Sequence, residues 1–395
     1  MAKPVLPIGF NLSAASAAIK KPGRLDIALI YSERDATCSA VFTTNKIKGA
    51  PVKLCMEKAR RAKGRAIIVN SGCSNVCTGR QGLRDAKEMA ALTAKRLGIP
   101  ERQVYVCSTG VIGVPLPMER IRPAITRLAR TLGTAAPLDI AKAMMTTDTF
   151  PKVSMRRLKI GQKTGTLLGM AKGAGMIAPN MATMFAFVIT DIAVQRQALG
   201  EAFKEAVESS FNRITVDGDM STSDTAIVMA NGMLGNKEIT KDSKYYGPFK
   251  AAIKGLTYEL SRMIAKDGEG ASKLIEVGVG GAKTQADAER AAFAIANSLL
   301  VKTAIYGADP NWGRIMAALG RSGAYVREEK TDIRIGDVKT VSGGVSTGKE
   351  VQARAALKGK EIKITVDLNS GRASASVLTC DLTEDYVKVN AEYST

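Results

Sequence analysis

Histidine is absent from all 395 residues. That absence excludes Ser-His-Asp and Cys-His nucleophilic catalysis, imidazole-bound zinc and every proton relay that runs through a ring nitrogen. An acyl- or proton-transfer enzyme built on this chain must draw its base from a carboxylate, a lysine, a tyrosine, a thiolate or a terminal amine. Aromatics are also scarce, at 5% of residues with a single tryptophan. None interleaves with the basic runs, as the stacking platforms of a nucleic-acid groove would. No apolar run reaches the roughly 18 residues that span a bilayer, so no membrane association is expected. The first residues hold one early lysine and no continuous apolar core, which predicts no secretory signal and a cytoplasmic location. The cysteines at positions 38, 55, 73, 77, 107 and 380 are scattered; they are expected to be reduced and mostly buried. Cys73 and Cys77, with no second pair and no histidine, do not make a zinc site, and no metal is expected.

Positive charge, by contrast, is abundant: the net charge is +20. Nucleic acid, an anionic membrane surface and acidic metabolites all suit that sign. The densest clusters are Lys58, Arg60, Arg61, Lys63 and Arg65, and then Arg120, Arg122, Arg127 and Arg130. Both lie in segments with interleaved Ala, Ile and Leu, which reads as a solvated helix face rather than a nucleic-acid groove.

Strand-like runs cover residues 25–31, 66–69, 104–106, 153–160, 164–170, 183–190, 225–229 and 274–279, with others at 332–335, 361–368 and 373–382. Amphipathic helices are expected at 83–97, 118–132, 197–211, 246–265 and 285–306. Some strands are separated by helices and others follow directly, which predicts an α/β protein with mixed sheets rather than a single parallel Rossmann sheet. The Gly-rich stretch at 173–180 is the best candidate for an internal boundary.

Several motifs fail on inspection. Residues 343–350, GGVSTGKE, approach a phosphate-binding loop, but Glu350 replaces the hydroxyl that would hold a magnesium ion, so this is a glycine-rich turn. Gly278-Val279-Gly280-Gly281 lacks the third glycine of a dinucleotide fingerprint, because position 283 is lysine. Asp217 and Asp219 resemble the start of a calcium loop whose sixth position is Thr222 and whose twelfth is Val228; a turn held by Asx hydrogen bonds fits better.

Two places remain. Ser108-Thr109-Gly110 follows a strand, and a strand ending in Thr-Gly exposes a hydroxyl and a backbone N–H that suit an oxyanion; an ordinary β-turn fits the same residues. Asn180-Met181-Ala182-Thr183 enters an apolar strand. Locally, Thr183 is the first residue of that strand. Its chemical alternative follows from the missing histidine. If the Ala182–Thr183 bond is cut, Thr183 gains an α-amine with a reference pKa of about 7.7–8.0. That amine accepts the proton of its own Oγ and makes the hydroxyl a nucleophile.

With these residues goes a wider pattern. Residues 172–184, KGAGMIAPNMATM, resemble the self-cleaving signature of the ornithine acetyltransferase (glutamate N-acetyltransferase) family. The resemblance runs over essentially the whole chain, through Ala50-Pro51-Val52, Asn70-Ser71-Gly72, Ser108 to Gly113, Thr146-Thr147-Asp148-Thr149, Ser210 to Asp219, Asp267-Gly268-Glu269-Gly270, Gly307 to Arg314 and Asn390 to Thr395. It implies a precursor that cuts itself between Ala182 and Thr183. The products are an α chain (1–182) and a β chain (183–395) that fold together as one enzyme unit and assemble as an α2β2 heterotetramer. It implies a layered α/β/β/α sandwich shared with self-processing aminopeptidases. It implies ping-pong acetyl transfer from N2-acetylornithine to glutamate through acetyl-Thr183, without a cofactor, acetyl-CoA being a further possible donor. Thr109 and Gly110 would form the oxyanion hole, and Thr146, Lys172, Thr183, Glu269, Asn390 and Thr395 would bind substrate. Lys172 and the Thr146 hydroxyl suit a carboxylate; Glu269 suits an ammonium group.

The chain departs from the family's pattern in small ways: Ala174 stands where Ser or Gly is common and Cys73 where Asn is common, while Ser394 is at a variable position. Two rival readings predict different behaviour. A self-processing amidase or aminopeptidase would pass the acyl group to water, and a basic nucleic-acid-binding protein would stay uncut and bind with a steep salt dependence.

Overall fold

The computed structural model describes residues 4–21, 23–178 and 184–392. The described residues form two compact units, one of those up to Asn212 with Met220–Ile264, the other of Arg213–Asp219 with those from Ala265 on.

The first unit runs β1 (Phe10–Ala15), β2 (Ile27–Phe42), α1 (Ala50–Ala59), β3 (Lys63–Cys73), α2 (Gly79–Leu97), β4 (Val104–Val111), α3 (Met118–Arg130), α4 (Pro137–Met144), β5 (Lys152–Ile160), β6 (Lys163–Lys172), β7 (Phe185–Thr190), α5 (Arg196–Glu208), β8 (Thr225–Ala230) and α6 (Tyr246–Lys266). Its strands hydrogen-bond in the order β4-β3-β2-β8-β7-β6-β5, with β1 on β2. β3 and β4 are parallel, as are β7 and β8; the other pairs are antiparallel. This is a mixed sheet, not a Rossmann sheet.

The sheet is folded over on itself, and β2 makes the fold. Its first part pairs with β1 and β3 and its last part with β8, with the register shifting between Tyr31 and Ala36. In a flat sheet β3 and β5 would lie roughly 24 Å apart at the usual strand spacing. The short helix α4 touches both, so the two halves must face each other. Alternation then sorts the apolar side chains. Ala28, Ile30, Ile67, Val69, Tyr105 and Cys107 share one buried cluster with Leu168, Met170, Phe185, Phe187, Ile227 and Met229. Their neighbours Ile27, Leu29, Ala66, Ile68, Val104 and Val106 pack instead with Met89 of α2 and Ile121, Ile125 and Leu128 of α3. On the opposite side α5 lies against β2, and a Cβ at Gly169 of β6 would come within 2.6 Å of Leu256 and 2.7 Å of Leu260 on α6. The four-layer α/β/β/α order expected from the sequence is thus present within this unit.

The second unit contains β9 (Leu274–Ala282), α7 (Gln285–Ala296), α8 (Leu299–Tyr306), α9 (Trp312–Gly320), β10 (Asp332–Ile335), β11 (Val338–Ser342), β12 (Val345–Ser346), α10 (Glu350–Ala356), β13 (Glu361–Asp367), β14 (Ala373–Cys380) and α11 (Glu384–Glu392). Its strand order is β12-β11-β10-β13-β9-β14, with only β13 and β9 parallel. The sheet's apolar side packs on α7 through Val277, Val279, Ala288, Ala291 and Ile295.

Some expectations change. The helix expected over 285–306 is two helices, because Ser298 caps a second one by accepting the Val301 N–H at 3.4 Å. The boundary expected at 173–180 is not one: β6 and β7 on either side are antiparallel neighbours, Lys172 opposite Phe185. Among the described residues the chain passes between units at 212–213, 219–220 and 264–265. Lys58 is not part of a solvated face; it is buried, and its Nζ donates to the carbonyls of Glu101 and Val104 at 3.0 and 2.9 Å. Residues 343–350 form the turn read from the sequence, with Gly343 and Gly344 at φ of +56° and +77° and Glu350 accepting from Ser346 at 2.6 Å. All six cysteines are free, and all but Cys77 are buried.

Candidate active site

In the first unit, β3 and β4 run parallel to their ends with Asn70 opposite Ser108, Ser71 opposite Thr109 and Gly72 opposite Gly110. The Ser108 hydroxyl donates to Asn70 Oδ1 at 2.6 Å, and Asn70 Nδ2 donates to the Cys73 carbonyl at 3.0 Å. Ser71 Oγ donates to the Ala143 carbonyl at 2.6 Å, which ties this strand end to α4. Gly72 and Gly110 have φ of +102° and +129°, the region that only glycine enters freely. A Cβ at Gly110 would lie 2.3 Å from the Gly72 carbonyl carbon and 2.6 Å from the Cys73 nitrogen. The Thr109-Gly110 end is therefore packed closely against Gly72 and Cys73, the fixed placement that an oxyanion donor would need. Gly110→Ala is expected to lower acyl transfer about a hundredfold or more and to lower the melting temperature; kcat at saturating substrate and a thermal scan check both.

Thr146 is half-buried and stands at the start of a turn organised by Asp148. Asp148 accepts the Thr146 N–H at 3.0 Å, the Gly173 N–H at 2.7 Å and Lys152 Nζ at 2.7 Å. The Lys152 and Asp148 side chains are fully buried. Burial alone would raise the Asp148 pKa; the charges of Lys152 and Lys172 and the Lys152 and Gly173 hydrogen bonds more than reverse this and hold it at about 2. Lys172, the last residue of β6, is itself buried. The structure thus brings Thr146 and Lys172 together through Asp148.

Across β7 and β8, Asp224 is wholly buried. Its Oδ1 accepts the Met184 N–H at 2.7 Å, and the Met184 carbonyl accepts the Thr225 N–H at 3.2 Å. Burial pushes the Asp224 carboxyl up, against the Met184 hydrogen bond and the Lys172 charge. The residue that follows Thr183 is thereby pinned to β8. Ala182, Thr183 and Thr395 lie outside the described residues.

In the second unit, Asn390 of α11 donates to Glu269 Oε2 at 2.9 Å and to the Tyr386 carbonyl at 3.0 Å. Gly270, at φ +68°, lets its backbone meet α11: a Cβ there would lie 2.3 Å from the Tyr386 nitrogen. Burial raises the Tyr386 phenol to about 12, helped by the negative charges of Asp217, Glu269 and Asp219. Those carboxylates make a surface that suits an ammonium group. Asp217 Oδ1 also accepts the Asp219 N–H at 3.1 Å, the Asx turn expected there.

Asp148, Lys152 and Asp224 carry more of this arrangement than the sequence reading gave them. An acidic residue standing one position before a buried strand, as Asp224 does before β8, was the available signal.

A four-layer α/β/β/α unit with a rigid Thr-Gly strand end beside a buried lysine–aspartate cluster is the frame of an acyl-transfer enzyme. The chain belongs to the ArgJ family, whose sequence profile matches residues 11–395. It is 54% identical over 389 residues to the arginine biosynthesis bifunctional protein ArgJ of Geobacter sulfurreducens, covering 98% of this chain and 99% of that one. It is 45% identical over 392 residues to the protein of that name from Staphylococcus epidermidis RP62A, covering 98% of both. The crystal structure of the Bacillus halodurans protein of that name superposes with a TM-score of 0.52 at 45% identity, over 53% of this chain and 99% of the solved chain.

Proposed function

We propose that this enzyme of arginine biosynthesis transfers an acetyl group from N2-acetylornithine to glutamate by a ping-pong route through Thr183. The observation that carries the reading is membership of the ArgJ family over nearly the whole length. The chain first cuts itself: Thr183 Oγ attacks the Ala182 carbonyl, the peptide C–N bond breaks, and water hydrolyses the resulting ester. The free α-amine then takes the proton of Thr183 Oγ as the hydroxyl attacks the acetyl carbonyl. Thr109 and Gly110 stabilise the oxyanion of the tetrahedral intermediate. Ornithine leaves with a proton on its nitrogen, glutamate enters, and its amine takes the acetyl group from Oγ. Thr146 and Lys172 serve the substrate carboxylate, and Glu269 and Asn390 the ammonium group, with Thr183 and Thr395 completing the binding set. No cofactor takes part.

The rigid Thr109-Gly110 end supports this route, as does the absence of histidine, since the base it needs is the nucleophile's own amine. The cut is supported by the size of the solved relative, whose chain is 99% covered by 53% of this one. A cut after Ala182 leaves 182 and 213 residues, the larger just over half of the 395. The two products stay together as a cytoplasmic α2β2 heterotetramer, and acetyl-CoA is a second donor to glutamate. The test is direct. The purified protein should give two bands on a denaturing gel, and the larger fragment should begin Thr-Met-Phe by N-terminal sequencing. Radiolabelled glutamate should be acetylated from N2-acetylornithine, and also from acetyl-CoA. A single uncut chain with full transfer activity would overturn the mechanism.

A further inference from the structure

A group that the reaction scheme above leaves unused sits between the two features it does use. Residues 16–20 are wrapped around the buried carboxylate of Asp26, which accepts the N–H groups of Ala17 at 2.6 Å, Ile19 at 2.7 Å and Lys20 at 3.1 Å. This turn lays the Lys20 side chain across Gly72, where a Cβ would come within 2.9 Å of Lys20 Cγ. Gly72 is the residue opposite Gly110 in the oxyanion strand end. The ammonium group then donates to the Met145 carbonyl at 2.8 Å, one residue before Thr146. Lys20 therefore runs from the oxyanion end to the Thr146–Asp148 turn.

The charged groups that face its ammonium are Asp26, Arg24, Asp148 and Lys172. Both carboxylates are already engaged. Asp26 is taken up by the backbone of its own turn, and Asp148 by Thr146, Gly173 and Lys152. Lys152 and Lys172 are buried, whereas Lys20 is only half-buried. Of the three lysines around Asp148, Lys20 is the most exposed. An ammonium group has three donors, and the Met145 carbonyl takes one of them.

We propose that Lys20 is a further substrate-binding residue, whose ammonium group takes the α-carboxylate of the amino acid that gives or receives the acetyl group. This rests on the acetyl-transfer reading above. Donor and acceptor occupy the site in turn and both carry that carboxylate, so the role is common to both half-reactions. Burial lowers the Lys20 pKa to about 8, with Asp26 and Asp148 opposing and Arg24 and Lys172 assisting the shift. Only the protonated form binds a carboxylate, so affinity is full below that pH and falls as the pH rises through it.

Lys20→Met keeps an unbranched apolar stem as far as Cε and removes the charged Nζ. Its KM for N2-acetylornithine and for glutamate should both rise about tenfold or more, the loss expected for one charge-assisted hydrogen bond. Cleavage after Ala182 should proceed as in the natural protein. Lys20→Arg stays charged at alkaline pH and should move the alkaline fall in affinity upward, which a purely structural lysine would not do. Unchanged KM values in Lys20→Met, or an alkaline limb in Lys20→Arg that coincides with that of the natural protein, would overturn the proposal. If Lys20→Met does not fold, the Lys20→Arg profile decides alone. Failure of the natural protein to form acetyl-Thr183 from N2-acetylornithine, read by intact-mass spectrometry, would instead sink the acetyl-transfer reading on which this rests.

Discussion

Thr183→Ala should yield a single uncut chain of 41.8 kDa with acetyl transfer reduced by at least about 10⁴-fold, the scale of loss when a covalent nucleophile is removed. On the proposed route two functions fall together, because one oxygen would serve both: Oγ would attack the Ala182 carbonyl before the cut and the acetyl carbonyl after it. Thr183→Ser keeps the hydroxyl and should still be cut. The loss in Thr183→Ala should not be a loss of fold, because β7 begins at Phe185 and is held by Met184 bonding to Asp224 and Thr225. A gel and a thermal scan on the same preparation separate the two effects. Normal cutting of Thr183→Ala would refute the assignment of the nucleophile.

The parts of this molecule that could be read from sequence are those written in local patterns. The alternating runs at 153–160 and 164–170 became adjacent antiparallel strands, and the Thr-Gly end of β4 kept the backbone its glycine demands. What escaped depends on residues distant in sequence. The long β2 reads as a short strand over 25–31, because Arg34 and Asp35 interrupt its apolar pattern. The register shift there is what folds the sheet over, and only the pairing with β8, nearly two hundred residues later, reveals it. Lys58 looked solvated because its helix is basic; its acceptors, the carbonyls of Glu101 and Val104, lie more than forty residues on. Lys20 was invisible for the same reason: its meaning comes from Gly72, Met145 and Asp148, none of which is near it in the chain. The Glu269–Asn390 bond spans 121 residues, and the resemblance to a family brought that pair forward where local pattern offered nothing.

Asp148 carries the other large expectation. Two buried lysines, Lys152 and Lys172, lie around one carboxylate, and such an arrangement costs most when the counter-charge is taken away. Asp148→Asn preserves shape and leaves oxygen and nitrogen where the carboxylate oxygens stood. It should nevertheless destabilise the protein by about 3–5 kcal/mol, the usual result of stripping one partner from a buried ion pair. The pH dependence supplies the sharper test. Held at about 2 in the folded state, the Asp148 pKa lies below the ordinary aspartate value of 3.8. Its contribution is therefore present above about pH 4 and is lost as the pH falls towards 2, amounting to roughly 2–3 kcal/mol for a shift of that size. The natural protein should lose that much more stability than Asp148→Asn across the interval, so the two urea midpoints should converge in acid. Midpoints that stay equally far apart from pH 6 to pH 2 would mean that Asp148 acts through the Thr146 and Gly173 N–H groups it organises rather than through its charge. In that case the lysines beside it would have to be neutralised by something other than this carboxylate.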